Sequence, residues 1–458
     1  MTASERRAAF SLAAIYAFRM LGLFMILPVM ALYAETLDSP DPLLIGLAIG
    51  IYGLTQALLA IPYGLWSDRL GRKPVIAFGL LVFAIGSVVA AMADTITGVI
   101  IGRALQGAGA VAAAVMALAS DLTREEHRTR TMAIIGMTIG LSFAASLGLG
   151  PILERWIGVP GIFWLTSVLA LAGIAVLYLL VPDTSAGRGK RDTGAVPGYF
   201  REVLRNRQLL RLDAGVFVLH CMLTATFVAV PFALRDYAGL DSVRHGYLYL
   251  PVLLLSLLAM FPLVIVAETR RRLRETLLMM IVALAVAQLL LWSGYGSTIG
   301  IAAALLVFFV AFNVLEALLP SLLTKFAPAD KKGTAMGMFS AAQFLGAFTG
   351  GVFGGWLYGR FGFAGVFGGS LILASAWFLW ARGMEPVRYL SSYMIFVGES
   401  TSAEIARKTR ELLELPGVAE AVIVGEEGVA YLKVDNRTVD RDQIAALAQS
   451  WQIEAAGA

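Results

Sequence analysis

The sequence predicts an all-α membrane protein, twelve transmembrane helices in two six-helix halves, followed by a small α/β ferredoxin-like domain. Three observations carry this. The 458-residue chain is 58% apolar and 15% charged, with mean hydropathy +0.77, whereas a soluble domain has roughly 25% charged residues. Apolar runs of about 20 residues, enough to cross a bilayer core, recur from Phe10 to Trp380. After Met384 the runs stop and charge density becomes ordinary.

The spans fall near residues 9–34, 43–66, 74–93, 97–120, 130–153, 161–181, 210–234, 244–267, 275–294, 298–323, 333–357 and 362–383. The first run is too long for a signal-peptide core and lacks a small-residue cleavage site, so it reads as retained. Taken alternately, the loops carry twenty-two Lys/Arg on one side. The other side has four, Arg155, Arg235, Arg244 and Arg360. Basic loops mark the cytoplasmic face, which places both termini in the cytoplasm.

A polar connection, 183–209, separates an N-terminal half (1–182) from a C-terminal half (210–384). Within it Tyr199–Arg205 reads as an amphipathic surface helix, with an unstructured linker as the alternative. The halves echo one another. Pro28 in the first span matches Pro231 in the seventh. Asp68, before the arginines of the second-to-third turn, matches Glu268 before those of the eighth-to-ninth. Such repeats are the usual signature of transporters with a site between the halves.

The tail, 390–456, reads as β-α-β-β-α. Tyr393–Val397 is a strand. Thr401-Ser-Ala-Glu404 is a capping box opening a helix to Leu415. Val418–Val424 and Val429–Val434 form a hairpin about Glu426–Gly428, Asp440–Trp451 is a helix, and Gln452–Glu454 is a candidate last strand.

Charges inside spans cost roughly 2.5–3.5 kcal/mol on insertion scales and read as functional. Arg103, too deep in the fourth span to snorkel, has Gln106 as its i+3 neighbour and reads as cavity-lining and linked to proton coupling, or as packed against carbonyls. Arg19 in the first span reads as a substrate or charge-balance group, or a structural arginine. Glu316 in the tenth reads as a proton carrier, since burial raises a carboxyl pKa, or as a permanently bonded glutamate. Gln56, Asn313 and Gln343 are further cavity candidates. His220 and Cys221 read as packing. A single cysteine excludes an internal disulfide and a Cys-built metal site.

The polar turn Gly64-Leu-Trp-Ser-Asp68-Arg69-Leu-Gly71-Arg72-Lys73 resembles motif A of the major facilitator superfamily, departing from it at Trp66 and Ser67. Arg103-Ala-Leu-Gln106-Gly107-Ala-Gly109-Ala110 resembles that family's motif B. Gly140, Gly148, Gly150 and Pro151 resemble a partial motif C of drug antiporters, with Ile152, Leu153 and Glu154 where paired glycines normally follow. The resemblance implies a bacterial inner-membrane transporter of the drug:H+ antiporter type, exporting a small molecule in exchange for protons by alternating access. A symporter or facilitator for a small metabolite is the alternative, and a membrane sensor reading a ligand through its tail is a third.

The resemblance also implies an Asp68–Arg72–Asp121 set. Asp68 then latches the N-half to the start of the eleventh span, where a helix N-terminus favours a carboxylate by roughly 0.3–1 kcal/mol. The rival reading is that Arg69, Arg72 and Lys73 only set topology. Generic tight packing explains the motif-C-like glycines almost as well as a leak-preventing role.

Leu415-Pro-Gly-Val418 resembles heavy-metal-associated domains, but Val397-Gly-Glu-Ser400 stands where those carry Cys-x-x-Cys. The fold carries over and the metal does not. No catalytic triad, phosphate loop or metal spacing appears, so neither enzyme activity nor a cofactor is expected. The implied partners are a small-molecule substrate, protons and the lipid bilayer, with no nucleic acid. The tail is expected to regulate gating by binding a ligand or to pair with a copy of itself.

Overall fold

Glycine and proline set where the long apolar helices stop, bend and turn back. The computed structural model describes residues 1–37, 41–183, 200–328, 332–387, 391–398, 401–425, 428–435 and 438–457. They form two compact units, Met1–Pro320 with Gly333–Met384, and Ser321–Lys332 with Glu385–Ala458. The expected N-half, and the expected C-half apart from 321–332, therefore lie in the first unit. Most of the expected linker, including Tyr199, falls outside the described residues.

The first span is α1 (Ala3–Phe24) with α2 (Leu27–Ala34), broken just before Pro28, which has no N–H to continue a helix. Then come α3 (Pro42–Leu70) and α4 (Arg72–Ala91). The fourth span is α5 (Ile96–Ala108) with α6 (Ala112–Asp121), broken at Gly109. A Cβ on Gly109 would overlap the Gly79 carbonyl oxygen of α4, so the break lets two backbones touch. α7 (Glu125–Leu179) is followed by the short α8 (Phe200–Arg205), then α9 (Arg207–Asp236), α10 (Ser242–Thr269), α11 (Leu273–Gly294), α12 (Thr298–Phe326) and α13 (Lys332–Ala381).

Among the described residues, ten helical stretches are long and apolar enough to cross a membrane, two of them 54 and 50 residues long. At 1.5 Å per residue a straight helix of that length reaches about 75–80 Å, far beyond a core of about 30 Å. Each of these two instead turns at a glycine of positive φ, Gly158 in α7 (φ 67) and Gly362 in α13 (φ 59). Each therefore makes two passes, and the passes among the described residues number twelve. α8 covers the described part of the expected surface helix.

Apolar side chains such as Phe78, Ile85, Leu141, Leu258, Ile265 and Ile372 point outward, while polar ones pair inside. Gln106 donates to Ser87 (2.8 Å), Gln288 to Thr226 (3.2 Å) and Asn313 to Ser256 (2.9 Å). Each bond ties two helices where lipid offers no partner.

The two halves meet at one end of the bundle and part at the other. At the end bearing Asp41, a Cβ on Gly46 would overlap the Gly351 carbonyl oxygen, and one on Gly355 would overlap that of Pro42. A Cβ on Gly246 of α10 would lie 2.6 Å from the Gly148 carbonyl oxygen of α7. Arg235 pairs with Glu35 (2.5 Å), and Ser242 donates to Glu154. At the end bearing Gly64–Lys73, added Cβ atoms on Gly64, Gly136, Gly140 and Gly337 would meet nothing within 4 Å.

The glycines of α13 serve two faces at once. Gly346, Gly350 and Gly354 lie against Phe217, Cys221 and Ala225 of α9, within the C-half. Gly351 and Gly355 lie against α3 of the N-half.

The tail holds β1 (Ser391–Phe396), α14 (Ser402–Glu414), β2 (Val418–Val424), β3 (Val429–Val434) and α15 (Arg441–Gly457). The sheet order is β1-β3-β2, antiparallel throughout, with Ile395 opposite Ala430 and Val424 opposite Val429. Leu412, Leu432, Ile444 and Trp451 fill its core. Gly417 takes φ 83, and a Cβ there would also press on Val439 N, so the position requires glycine on both counts. Glu404 accepts from the Thr401 N–H and hydroxyl, both at 2.7 Å. Those bonds hold its carboxyl below the usual carboxylate range, so this support of α14 is lost as pH falls through the lowered value.

Residues 452–454 are not a strand. They continue α15 to Gly457, since Gln-Ile-Glu-Ala-Ala contains no helix breaker. Glu399, Ser400, Glu426 and Glu427, in two of the expected loops, lie outside the described residues.

Gly46→Val forces an overlap at the closed end that helix separation alone can relieve, at about 1–3 kcal/mol. In a Cys221→Ala background, disulfide yield between Glu35→Cys and Arg235→Cys is expected to fall when Gly46→Val is added.

Candidate functional site

The turn between α3 and α4 is built around one glycine and one arginine. Gly71 takes φ 96 and ψ 150, a conformation that glycine alone adopts without strain. That sharp exit starts α4 at Arg72, whose guanidinium faces back. Arg72 pairs with Asp68, donates to Asp121 of α6 at 3.1 Å and to the Ser67 hydroxyl at 2.7 Å. Ser67 in turn donates to the Gly64 carbonyl at 2.8 Å. One arginine thus gathers the end of α3, the start of α4 and the end of α6. Lys73 donates to the Val181 carbonyl (2.8 Å) and pairs with Asp183 (2.5 Å), which ties the turn to the end of α7. Arg69 is exposed. The Asp68 side chain is 37% exposed, and no described contact joins it to the start of α13.

The matching turn between α10 and α11 makes its left-handed step at Arg271 (φ 55) instead of at a glycine. For a residue with a Cβ that conformation costs roughly 1–2 kcal/mol. The repeat keeps the turn and loses the residue suited to it.

Inside the N-half two arginines share Tyr52. Arg19, 2% exposed, donates through Nη2 to the Tyr52 hydroxyl and to Gln56 Oε1, both at 2.6 Å. Arg103 lies 5.3 Å over the face of the same ring. It donates to Gln106 Oε1 (2.9 Å) and reaches the Ala48 and Ile49 carbonyls (3.4 Å). Gln106 passes the chain on to Ser87. Arg103 and Gln106 therefore form one network through their i+3 spacing, and Arg19 and Gln56 form another.

Inside the C-half, Gln343 of α13 bridges two titratable groups. Its Nε2 lies 2.9 Å from Glu316 Oε1 of α12 and 2.9 Å from His220 Nε2 of α9. His220 Nδ1 is 3.1 Å from the Val216 carbonyl. That oxygen can only accept, so Nδ1 carries the proton and Nε2 of the neutral ring is free to accept from Gln343. Glu316 Oε2 lies 3.7 Å from His220 Nε2 and has no hydrogen-bond partner. Asn313 points elsewhere, to Ser256, and joins α12 to α10.

Rings fill the space between the halves. Phe143 of α7 lies 4.8 Å from Phe24, 5.8 Å from Phe312 and 6.2 Å from Phe309, while Phe312 lies 5.6 Å from the His220 ring. Phe344 meets Tyr52 edge-on at 6.3 Å.

Of the motif-C-like residues, Gly148 lies against Leu250 and Gly150 against Met25 and Pro28, and Pro151 is buried. Gly140 is half-buried, and an added Cβ there would meet nothing within 4 Å. It sits in the limb of α7 where the halves have parted.

His220 belongs with Glu316, where the sequence suggested only packing. An ionisable residue well inside a span was the available signal. Asp213 of α9, which borders the basic linker in sequence, is buried with its Oδ1 unpartnered. Ser67 replaces the alanine of the motif, yet its hydroxyl relays Arg72 to the backbone. Tyr52 carried no signal beyond its aromatic character.

Gln106→Leu keeps the volume but leaves Arg103 Nη1 without its acceptor, while the Ser87 hydroxyl still donates to the Phe83 carbonyl (2.8 Å). A buried group so orphaned costs about 1–3 kcal/mol. The variant is expected to melt below the parent in a detergent thermal-unfolding assay, and Gln106→Glu, which restores an acceptor for Arg103, is expected to lose less.

Comparison with known proteins agrees with this architecture. The Major Facilitator Superfamily profile matches residues 12–351, and that of the YajR YAM domain matches residues 396–450. The inner membrane transport protein YajR of Escherichia coli (strain K12) is 46% identical over 444 residues, covering 97% of each chain. An uncharacterized transporter of Buchnera aphidicola subsp. Acyrthosiphon pisum is 33% identical over 349 residues, 76% of this chain and 89% of its own. Among solved structures, a bacterial homologue of the human lysosomal transporter Spinster superposes with a TM-score of 0.69 at 14% identity. That match covers 84% of this chain and 98% of the homologue, a likeness of fold alone. With twelve passes in two halves, the motif turn and a YAM-type tail, the chain is a transport protein belonging to the major facilitator superfamily.

Proposed function

We propose that this transporter is a proton-coupled exporter of a bacterial inner membrane, working by alternating access with both termini in the cytoplasm. The Glu316–Gln343–His220 cluster carries the reading. Glu316 is a span carboxylate whose side chain is 40% exposed, with a buried Oε2 free of any hydrogen-bond partner. It can exchange protons without being torn from a buried ion pair. Gln343 couples it to His220. A proton taken by His220 Nε2 turns that atom from acceptor to donor, so the Gln343 amide has to rotate and release Glu316. Uptake at Glu316 Oε2 needs no such movement. A proton arriving on His220 therefore changes how α9, α12 and α13 are tied together, and those helices belong to a half that moves if the halves rock.

The basic loops support a cytoplasmic placement for the end bearing Gly64–Lys73. With that orientation, the parted end opens inward and the latch is released. When the halves rock to close that end, Asp68 comes to the start of α13 and Arg72 holds it in place against Asp121. The motif-C-like stretch favours exchange over co-transport. The tail is read as a regulator of gating, through a ligand or through self-association.

In proteoliposomes with an imposed pH gradient, Glu316→Gln is expected to abolish gradient-driven flux for a panel of small molecules while leaving unfolding temperature unchanged. Pumping that keeps its pH dependence in this variant overturns the proton role. Flux running down the imposed proton gradient instead of against it replaces exchange with co-transport.

Asp68→Asn removes about 0.3–1 kcal/mol from the closed inward face, which is roughly a two- to fivefold shift in population. Cross-linking between Gly64→Cys and Gly337→Cys is expected to slow accordingly. An unchanged rate reduces the motif to a topology signal.

A further inference from the structure

Arg19 has bonding capacity that neither the gate nor the proton relay uses. Its Nη2 is saturated by Tyr52 and Gln56. Its Nε and Nη1, and the Nε2 of Gln56, are buried donors with no acceptor. Buried polar groups are nearly always paired, and each exception calls for an explanation. Here three exceptions fall on two touching side chains, 2% and 0% exposed, and every one is a donor. A neutral interior gap would leave a mixture of donors and acceptors. A set made of donors alone fits an acceptor-rich group that is not part of the chain.

The charges agree. Arg103 shares Tyr52 with Arg19, and its own bonds go to the neutral oxygens of Gln106, Ala48 and Ile49. Among the described residues, neither guanidinium has a carboxylate partner. Two unpaired cations on one tyrosine in a low-dielectric interior are costly and mutually repulsive. An incoming anion offsets both costs at once, while a cation would add to them. The neighbouring walls are rings. Phe344, half-buried, covers Tyr52 edge-on, and Phe24, Phe143, Phe309 and Phe312 form a continuous apolar layer between the halves.

We propose that Arg19 and Gln56 form a subsite for the anionic group of the transported molecule, and that the substrate class is an organic carboxylate on an apolar or aromatic body. This deepens the transporter reading and rests on it. Arg19 Nε and Nη1 and Gln56 Nε2 donate to the carboxylate. Tyr52 holds Arg19 in place from its other side. Phe344 is the ring that swings aside to admit the ligand, and its apolar body then lies against the ring layer.

The test uses the purified full-length protein and three probes of one shape: 2-naphthoate, neutral 2-naphthamide and cationic 2-naphthylmethylammonium. Binding is read by equilibrium dialysis and by thermal shift. The carboxylate is expected to bind roughly tenfold or more tightly than either control, the worth of a charge-assisted hydrogen bond. Arg19→Gln is expected to erase that preference, and Arg19→Lys to keep part of it. Gln56→Leu, which leaves the charge in place, is expected to weaken the carboxylate severalfold while sparing the amide.

No carboxylate binding by the parent protein, equal binding of the three probes, or a preference that survives Arg19→Gln each overturns the subsite. Because binding is measured at equilibrium without a gradient, its failure leaves the Glu316 flux experiment standing. Failure of that experiment likewise leaves this one readable.

Discussion

In hydrocarbon, a backbone or side-chain polar group without a partner has no water to fall back on. The rest of this structure depends on that constraint. It makes every span a helix, and it explains why Gln106, Gln288 and Asn313 each end on a hydroxyl of another helix. Against that background, the groups that remain open stand out. Arg19 and Gln56 of the N-half keep buried donors without a partner, while Asp213 and Glu316 of the C-half keep buried acceptors. Single buried atoms of a few other residues, among them His245, Tyr249 and Gln288, are open as well.

Close approach of backbones does the second part of the work. α3 and α13 touch through Gly46, Gly351 and Gly355, where any Cβ would overlap a carbonyl or a Cα. Such contacts are short-ranged and specific, so a small rotation of one half against the other loses them. Gly64, Gly136, Gly140 and Gly337 lie at the opposite end with space around them. They are the surfaces such a rotation would bring together. A helix such as α13, with glycines on two faces, can stay packed against α9 while it separates from α3. That would let the C-half move as one body in the rocking proposed above.

Much of this was legible from residue order. Span count, the division into halves and the tail's first five elements follow from apolar run length and period, while the bridging role of Arg72 was implied by the resemblance of Gly64–Lys73 to a known motif. Arg103 and Gln106 pair because i and i+3 share a helix face. The reading failed where a local pattern was ambiguous. Residues 452–454 are compatible with either a short strand or the end of a helix, and the absence of a breaker decides for the helix. His220 looked like packing because nothing near it in sequence needs a proton. Its partners lie 96 and 123 positions further along the chain.

The amino-acid sequence by itself determined which segments enter the membrane, where the chain turns, and which residues carry charge into an apolar interior. Hydrophobicity, helix period and glycine's access to positive φ are local properties, and local properties can be read one segment at a time. Tertiary structure alone decided that Gln343 joins Glu316 to His220, that Arg19 and Arg103 meet at Tyr52, and that the halves close at one end while parting at the other. Those outcomes depend on which faces of helices far apart in sequence come into contact. A helix's pattern shows that it has an inner face, but only packing sets what that face meets.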